Sequence, residues 1–95
     1  MWAEHTWLTT TLRPAGLLDI DATKRLGASV TALSTTCDLV VLDLSATAVA
    51  DCALLASQLR GPAARLAGEG GCLMLRGASE ELMGALSQAP LAAVS

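Results

Sequence analysis

Asp51 and Cys52 are the adjacent pair whose types and placement could do chemistry in this 95-residue chain. They follow an apolar run, Leu39 to Leu44, and a small, polar connection, Ser45 to Ala50, and they open a stretch with helical spacing. A residue at a helix N-terminus meets free backbone N–H groups and the positive end of the helix dipole. An anion is stabilised there, and a thiol is biased toward its reactive thiolate. The Asp51 carboxylate works against that bias, because it favours the neutral thiol. A small, inert, half-buried residue is therefore the simpler reading of Cys52, and a redox-responsive thiol is the sharper one. The stretch from Asp38 to Leu55 holds the candidate site.

No second constellation competes with it. The cysteines Cys37, Cys52 and Cys72 show no CxxC spacing, and His5 is the single histidine, so zinc ligation is not indicated. In a cytosolic chain such thiols are expected to be reduced, and a disulfide between two of them would need Cα atoms within about 7 Å. One histidine near the N-terminus leaves nothing from which to assemble a Ser-His-Asp triad, and no paired carboxylates or phosphate loop are present. The chain reads as a non-enzyme with neither cofactor nor metal. His5 reads as a surface residue and Asp43 as a strand-end residue.

Composition narrows the partners. The net charge is −3, and the basic residues Arg13, Lys24, Arg25, Arg60, Arg65 and Arg76 are scattered rather than gathered in a stripe. Nucleic acid is therefore not expected as a ligand. Trp2 and Trp7 are the sole aromatics, which leaves no base-stacking platform. Hydrophobic residues make up 53% of the chain, yet no apolar run approaches the ~20 residues of a membrane span. The N-terminal MWAEHTW has no basic segment leading into an apolar one, so no signal peptide is expected and the protein is read as cytoplasmic. Ala-rich, Lys-poor usage suggests a GC-rich bacterial genome.

The elements that must position the site follow from periodicity. Residues 6–13, rich in Thr, read as a strand that ends at Pro14 to Gly16. Asp21 or Asp19 caps a helix over 21–34, with Leu26, Val30 and Leu33 inward and Lys24 and Arg25 outward. Gly27 weakens that helix by about 1 kcal/mol relative to Ala. Leu39 to Leu44 suits a central strand buried on both faces. Asp51 caps the next helix, with Leu55, Leu59, Ala63 and Leu66 on one face. Pro62 within it costs roughly 3 kcal/mol, so a kink or a break into two pieces is expected near residue 61. Gly68, Gly70 and Gly71 end the element. A strand follows at Cys72 to Leu75, then the Arg76-Gly77 turn. Ser79 caps a last helix with Glu80 and Glu81 in its first turn, Leu82, Met83 and Leu86 inward, and Pro90 as its stop. Leu91 to Val94 is a short terminal strand or docked tail. The order β–α–β–α–β–α implies mostly parallel pairing with right-handed crossovers in one domain spanning 1–95. No internal repeat or linker is legible.

The run of Gly16-Leu17-Leu18-Asp19, an amphipathic helix, Val41-Leu42-Asp43-Leu44-Ser45, Asp51-Cys52 opening a helix, and Gly70-Gly71 before a strand resembles the STAS domain of bacterial anti-sigma factor antagonists and of the cytosolic parts of sulfate transporters. It covers about residues 12–90. The resemblance implies a four- or five-stranded, mostly parallel sheet with helices mainly on one side. It also implies that a G-x-L-D loop and a D-S-S-G or D-S-T-G segment share one surface. In those antagonists the first Ser of the segment is phosphorylated by a kinase that is also the anti-sigma factor, and the unphosphorylated antagonist binds that kinase. Here Gly16, Leu18 and Asp19 match the loop, Asp43 matches the Asp ending the central strand, and Asp51 matches the motif Asp. Cys52 falls on the phosphoacceptor position, Ala53 on the second hydroxyl position, and Leu54 replaces the Gly. The family's N-terminal strand is shortened or missing.

A phosphate at that helix start adds about −1.5 to −2 charge, and a thiol cannot receive it from an ordinary serine kinase. The resemblance therefore implies a protein–protein interaction module of the antagonist kind without its switch. Its partner would be an anti-sigma factor and serine kinase or another regulatory protein. The surface would be built from Asp19, Asp21, Ser45, Asp51, Cys52 and Ala53. The alternatives are a small cytosolic STAS subunit of a lipid-transport ABC complex, and a thiol redox-responsive variant. A homo-oligomer is left open.

Overall fold

The computed structural model describes residues 8–86 and the backbone of 92–94. Readings that fall on 1–7, His5 and the Trp residues among them, and on 87–91 lie outside the described residues. The elements are β1 (Thr9–Leu12), β2 (Gly16–Leu18), α1 (Ile20–Leu33), β3 (Leu39–Asp43), β4 (Thr47–Val49), α2 (Cys52–Gly68), β5 (Cys72–Arg76), α3 (Glu80–Ala85) and β6 (Ala92–Val94).

β1, β3, β5 and β6 form a four-stranded sheet in the order β1-β3-β5-β6, with every pairing parallel. Thr10, Val40 and Leu73 share one register position, and Leu12, Leu42 and Leu75 another. Residues in register lie on the same sheet face, and alternate positions lie on the other. Val40, Leu42, Leu73 and Leu75 are fully buried, in one cluster with Val30 of α1, Leu55, Leu59 and Leu66 of α2 and Leu82 of α3. The helices thus cover one face, as expected. Leu39, Val41, Cys72 and Met74, on the opposite face, are only half-buried. The expectation that the central strand is buried on both faces is therefore corrected: β3 alternates, because no described helix packs on its outer side.

Two further expectations change. Gly16 to Leu18 and Thr47 to Val49 are not plain connections but strands, paired in parallel as a separate two-stranded sheet. The helix after Asp51 also does not break at Gly61-Pro62, since α2 runs from Cys52 to Gly68 with Pro62 inside it. Proline forfeits one ladder bond, but the Pro62 ring is buried beside Leu59, Ala63 and Leu66. Burial at about 0.8 kcal/mol per CH₂ offsets much of that loss. The helix ends instead in a Schellman motif. Gly70 takes φ +83°, the Gly71 N–H donates to the Leu66 carbonyl at 2.7 Å, and the Gly70 N–H donates to that of Ala67 at 3.3 Å.

α1 and α2 pack against each other at Gly27, where an added Cβ would lie 2.7 Å from Cβ of Gln58. The inward face of α1 is Thr23, Gly27 and Val30, with Leu26 and Leu33 partly buried and Lys24 and Arg25 exposed. α3 stops at Ala85, well before Pro90; its last turn ends at Leu86, and the Arg60 guanidinium donates to the Ala85 carbonyl at 2.7 Å.

Candidate functional site

Parallel strands joined by right-handed helical crossovers place every helix N-terminus beyond the C-terminal ends of the strands, where α/β proteins bind their ligands. The candidate site is built there from a structural repeat that the sequence does not display. Each half consists of a sheet strand, a short strand, a capping Asp and a helix: β1, β2, Asp19 and α1, then β3, β4, Asp51 and α2.

The two halves are stitched together through β2 and β4. Leu17 pairs with Ala48 and Leu18 with Val49. The Thr47 hydroxyl and the Gly16 carbonyl are hydrogen-bonded, the Gly16 N–H donates to the Ala46 carbonyl at 3.1 Å, and the Ala50 N–H donates to the Leu18 carbonyl at 3.0 Å. Strand alternation buries Leu18 and turns Leu17 outward, 66% exposed. Ile20, the first residue of α1, is 54% exposed.

Asp19, not Asp21, is the N-cap of α1, and its Oδ1 accepts from the Ala22 N–H at 2.8 Å. Asp21 lies exposed in the first turn. Asp51 caps α2, with Oδ1 accepting from the Leu54 N–H at 3.0 Å. Asp19, Ile20, Asp21 and Ala50 line an open hollow, and Ala53 is exposed on the first turn of α2. The predicted residues Asp19, Asp21, Asp51 and Ala53 are thus exposed around the paired junctions.

Ser45 and Cys52 are placed differently. The Ser45 N–H and hydroxyl both donate to Oδ1 of Asp43, at 3.0 and 2.6 Å. Those two bonds hold the Asp43 carboxyl below its usual value of 3.8, with help from the Arg13 and Arg76 charges. Ser45 therefore closes a turn. Gly77 seals it from the other side, with φ +67° and its would-be Cβ only 2.8 Å from the Ser45 Cα. Cys52 is turned inward and 9% exposed. It faces a cavity of about 280 Å³ lined also by Leu44, Val49, Ser79, Glu81 and Leu82. Burial pushes its thiol pKa up, and the Glu81 carboxylate pushes it further, against a hydrogen bond from the Ser79 hydroxyl that acts the other way. That is the reverse of the change a reactive thiolate needs.

The sequence reading missed Leu17, Ile20 and Glu81 as site residues. Two adjacent leucines before a capping Asp carry a signal for the first, because strand alternation must turn one of them out. All three cysteines are free thiols, and no group of three or more His, Cys, Asp or Glu among the described residues could hold a metal. No helix of the described residues is long and apolar enough to cross a membrane.

No protein-family model matches the chain, and no curated protein matches it. Among solved structures it is similar to the anti-sigma factor antagonist SpoIIAA in its unphosphorylated form, with a TM-score of 0.75 and 16% identity over 98% of this chain and 84% of that one. The likeness extends across the sheet and all the helices described above, and it makes this fold the α/β STAS fold.

Proposed function

We propose that this chain is a non-catalytic protein–protein interaction module that works as an anti-sigma factor antagonist lacking the phosphorylation switch. The fold it shares with SpoIIAA supports the first part of that reading. The observation that carries it is the surface around the stitched junctions. Leu17 and Ile20 stand 66% and 54% exposed beside Ala48 and Ala50, with Asp19, Asp21 and Asp51 around them. An apolar centre inside a charged rim is the anatomy of a protein interface. The partner is an anti-sigma factor and serine kinase, or another regulatory protein of the bacterial cytoplasm.

Position 52 supports the second part. It carries a thiol, buried and facing the cavity, and Ala53 beside it has no hydroxyl. A serine kinase has nothing to phosphorylate at either position, so the complex is insensitive to ATP turnover. The test is to mix the chain with the anti-sigma kinases encoded in its own genome. Size-exclusion chromatography should show a complex of the same stability with ADP or with ATP and Mg²⁺, and the Leu17→Asp variant should lose it. Mass spectrometry should find no phosphate on residue 52. Phosphate on Ser45, or a complex that ATP dissolves, contradicts the loss of the switch.

A further inference from the structure

We propose that the cavity between β4 and the start of α3 is a socket for one cationic side chain, arginine or lysine, presented by a protein partner. The inference rests on the partner-binding reading above and names the chemistry of one contact in it. At about 280 Å³ the cavity falls just below the range for small-molecule sites, ~300–1,000 Å³, and so suits a single side chain better than a cofactor.

Its walls match such a side chain from stem to tip. Leu44, Val49 and Leu82 give an apolar passage that an aliphatic stem can line. Long cationic side chains bury that stem and keep the charged head among polar groups. The Glu81 carboxylate stands at the exposed mouth, and the Ser79 hydroxyl lies beside it. Ser79 Oγ accepts from the Leu82 N–H at 3.2 Å, and the Ser79 and Glu81 side chains both flank the Cys52 thiol in the cavity. No Lys or Arg lines the cavity, and Glu81 forms no ion pair with another described residue. A carboxylate with apolar walls behind it and no cation of its own favours an incoming guanidinium or ammonium.

The charge pattern of this end of the molecule agrees. Asp19 and Asp51 cap α1 and α2, and Glu80 and Glu81 open α3, so each of these helices starts with carboxylates. Arg60 and Arg65 lie further along α2, with Arg65 in its last turn. Arg13 and Arg76 also stand at this end, where Asp43 offsets them, and the capping and first-turn carboxylates keep its balance acidic, which steers a partner with basic groups toward the socket.

The test uses the full chain and three capped tripeptides, Ac-Ala-Arg-Ala-NH₂, its lysine analogue and its neutral citrulline analogue, followed by ¹H–¹⁵N NMR. Arginine or lysine peptide should shift the amides of Val49, Cys52, Gly77 and Leu82, and citrulline peptide should not. Glu81→Gln should weaken binding about two- to fivefold, the range for a partly solvated ion pair. Glu69→Gln, which removes a like charge at the far end of α2, should leave it unchanged. The proposal is overturned by equal binding of the citrulline peptide, by equal affinity in Glu81→Gln, by shifts confined to the Asp19 and Asp21 surface, or by no shifts up to the solubility limit. Any of these leaves the Leu17-dependent complex standing, and loss of that complex with the peptide shifts intact refutes the partner reading alone.

Discussion

The Ala50 N–H donates to the Leu18 carbonyl at 3.0 Å, and the residues that follow these two, Asp51 and Asp19, each cap a helix. One hydrogen bond between chain segments thus sets two N-caps side by side. Each cap serves its own helix through one carboxylate oxygen. Capping and surface charge can be separated by substitution, because Asn caps about as well as Asp whereas Ala does not. Asp19→Ala and Asp51→Ala should each cost about 1 kcal/mol in denaturant unfolding. Asp19→Asn and Asp51→Asn should stay near wild type in stability and weaken partner binding through loss of charge alone. A partner affinity unchanged in both Asn variants would confine these residues to capping.

Leu17 and Ile20 make the complementary case. Both are exposed, so Leu17→Asp and Ile20→Asp remove little buried area, and surface substitutions of this kind stay within about 0.5 kcal/mol. Unfolding midpoints should hold while the complex is lost. The neighbouring Leu18 is 5% exposed, and Leu18→Ala should instead destabilise by about 2–5 kcal/mol. Chemical denaturation of the three variants, read beside partner titration, separates an interface from a core; large destabilisation by Leu17→Asp would put that side chain in the core after all.

Asp43 gives a pH signature. Its folded-state pKa is lowered, first by the Ser45 hydroxyl and amide and then by Arg13 at 3.7 Å and by Arg76. A carboxyl with a depressed folded pKa contributes stability above its unfolded pKa and loses it as pH falls through the folded value. The contribution is therefore complete at neutral pH and disappears below the ordinary value of 3.8. Carboxyl-carbon NMR should show Asp43 titrating below that value and Ser45→Ala moving it back up. Asp43→Asn should flatten the acid limb of the stability curve, and an unchanged limb would mean that the turn contributes nothing through this charge.

The order of sheet strands and helices was legible because each apolar run is bounded by a turn residue or a capping side chain: Asp51 before α2, Ser79 before α3 and Gly70 after α2. The β2–β4 pair was not. Three-residue strands made of Gly-Leu-Leu and Thr-Ala-Val carry too little periodicity to be seen locally, and their pairing is a contact between distant segments. Within its own helix Gly27 is only a local cost, but across the fold it permits the close approach of α1 and α2 over Gln58. Gly27→Ala should consequently lose more to that clash than the about 1 kcal/mol that helix propensity returns. The Cys52 position was legible as a departure from a motif. Its inward orientation was not, because Glu81 and Ser79 reach it only through packing of α3 against α2.

Gly77 tests how tightly that packing is fixed. Its φ of +67° is a conformation that side-chain-bearing residues rarely adopt, and an alanine Cβ would lie 2.8 Å from the Ser45 Cα and backbone nitrogen. Both effects act at the seam between the β3–β4 turn and the start of α3, which walls the Cys52 cavity. Gly77→Ala should destabilise by about 1–3 kcal/mol. The added Cβ must push the Gly77 segment and the Ser45 turn apart, and the variant should therefore also have a more open cavity. Cys52 should then react faster with iodoacetamide at neutral pH than the wild-type thiol, which burial and Glu81 hold in its protonated form. Glu81→Gln should raise the reaction rate without the loss of stability. Equal alkylation rates in all three proteins would show that Cys52 is shielded by something other than this wall.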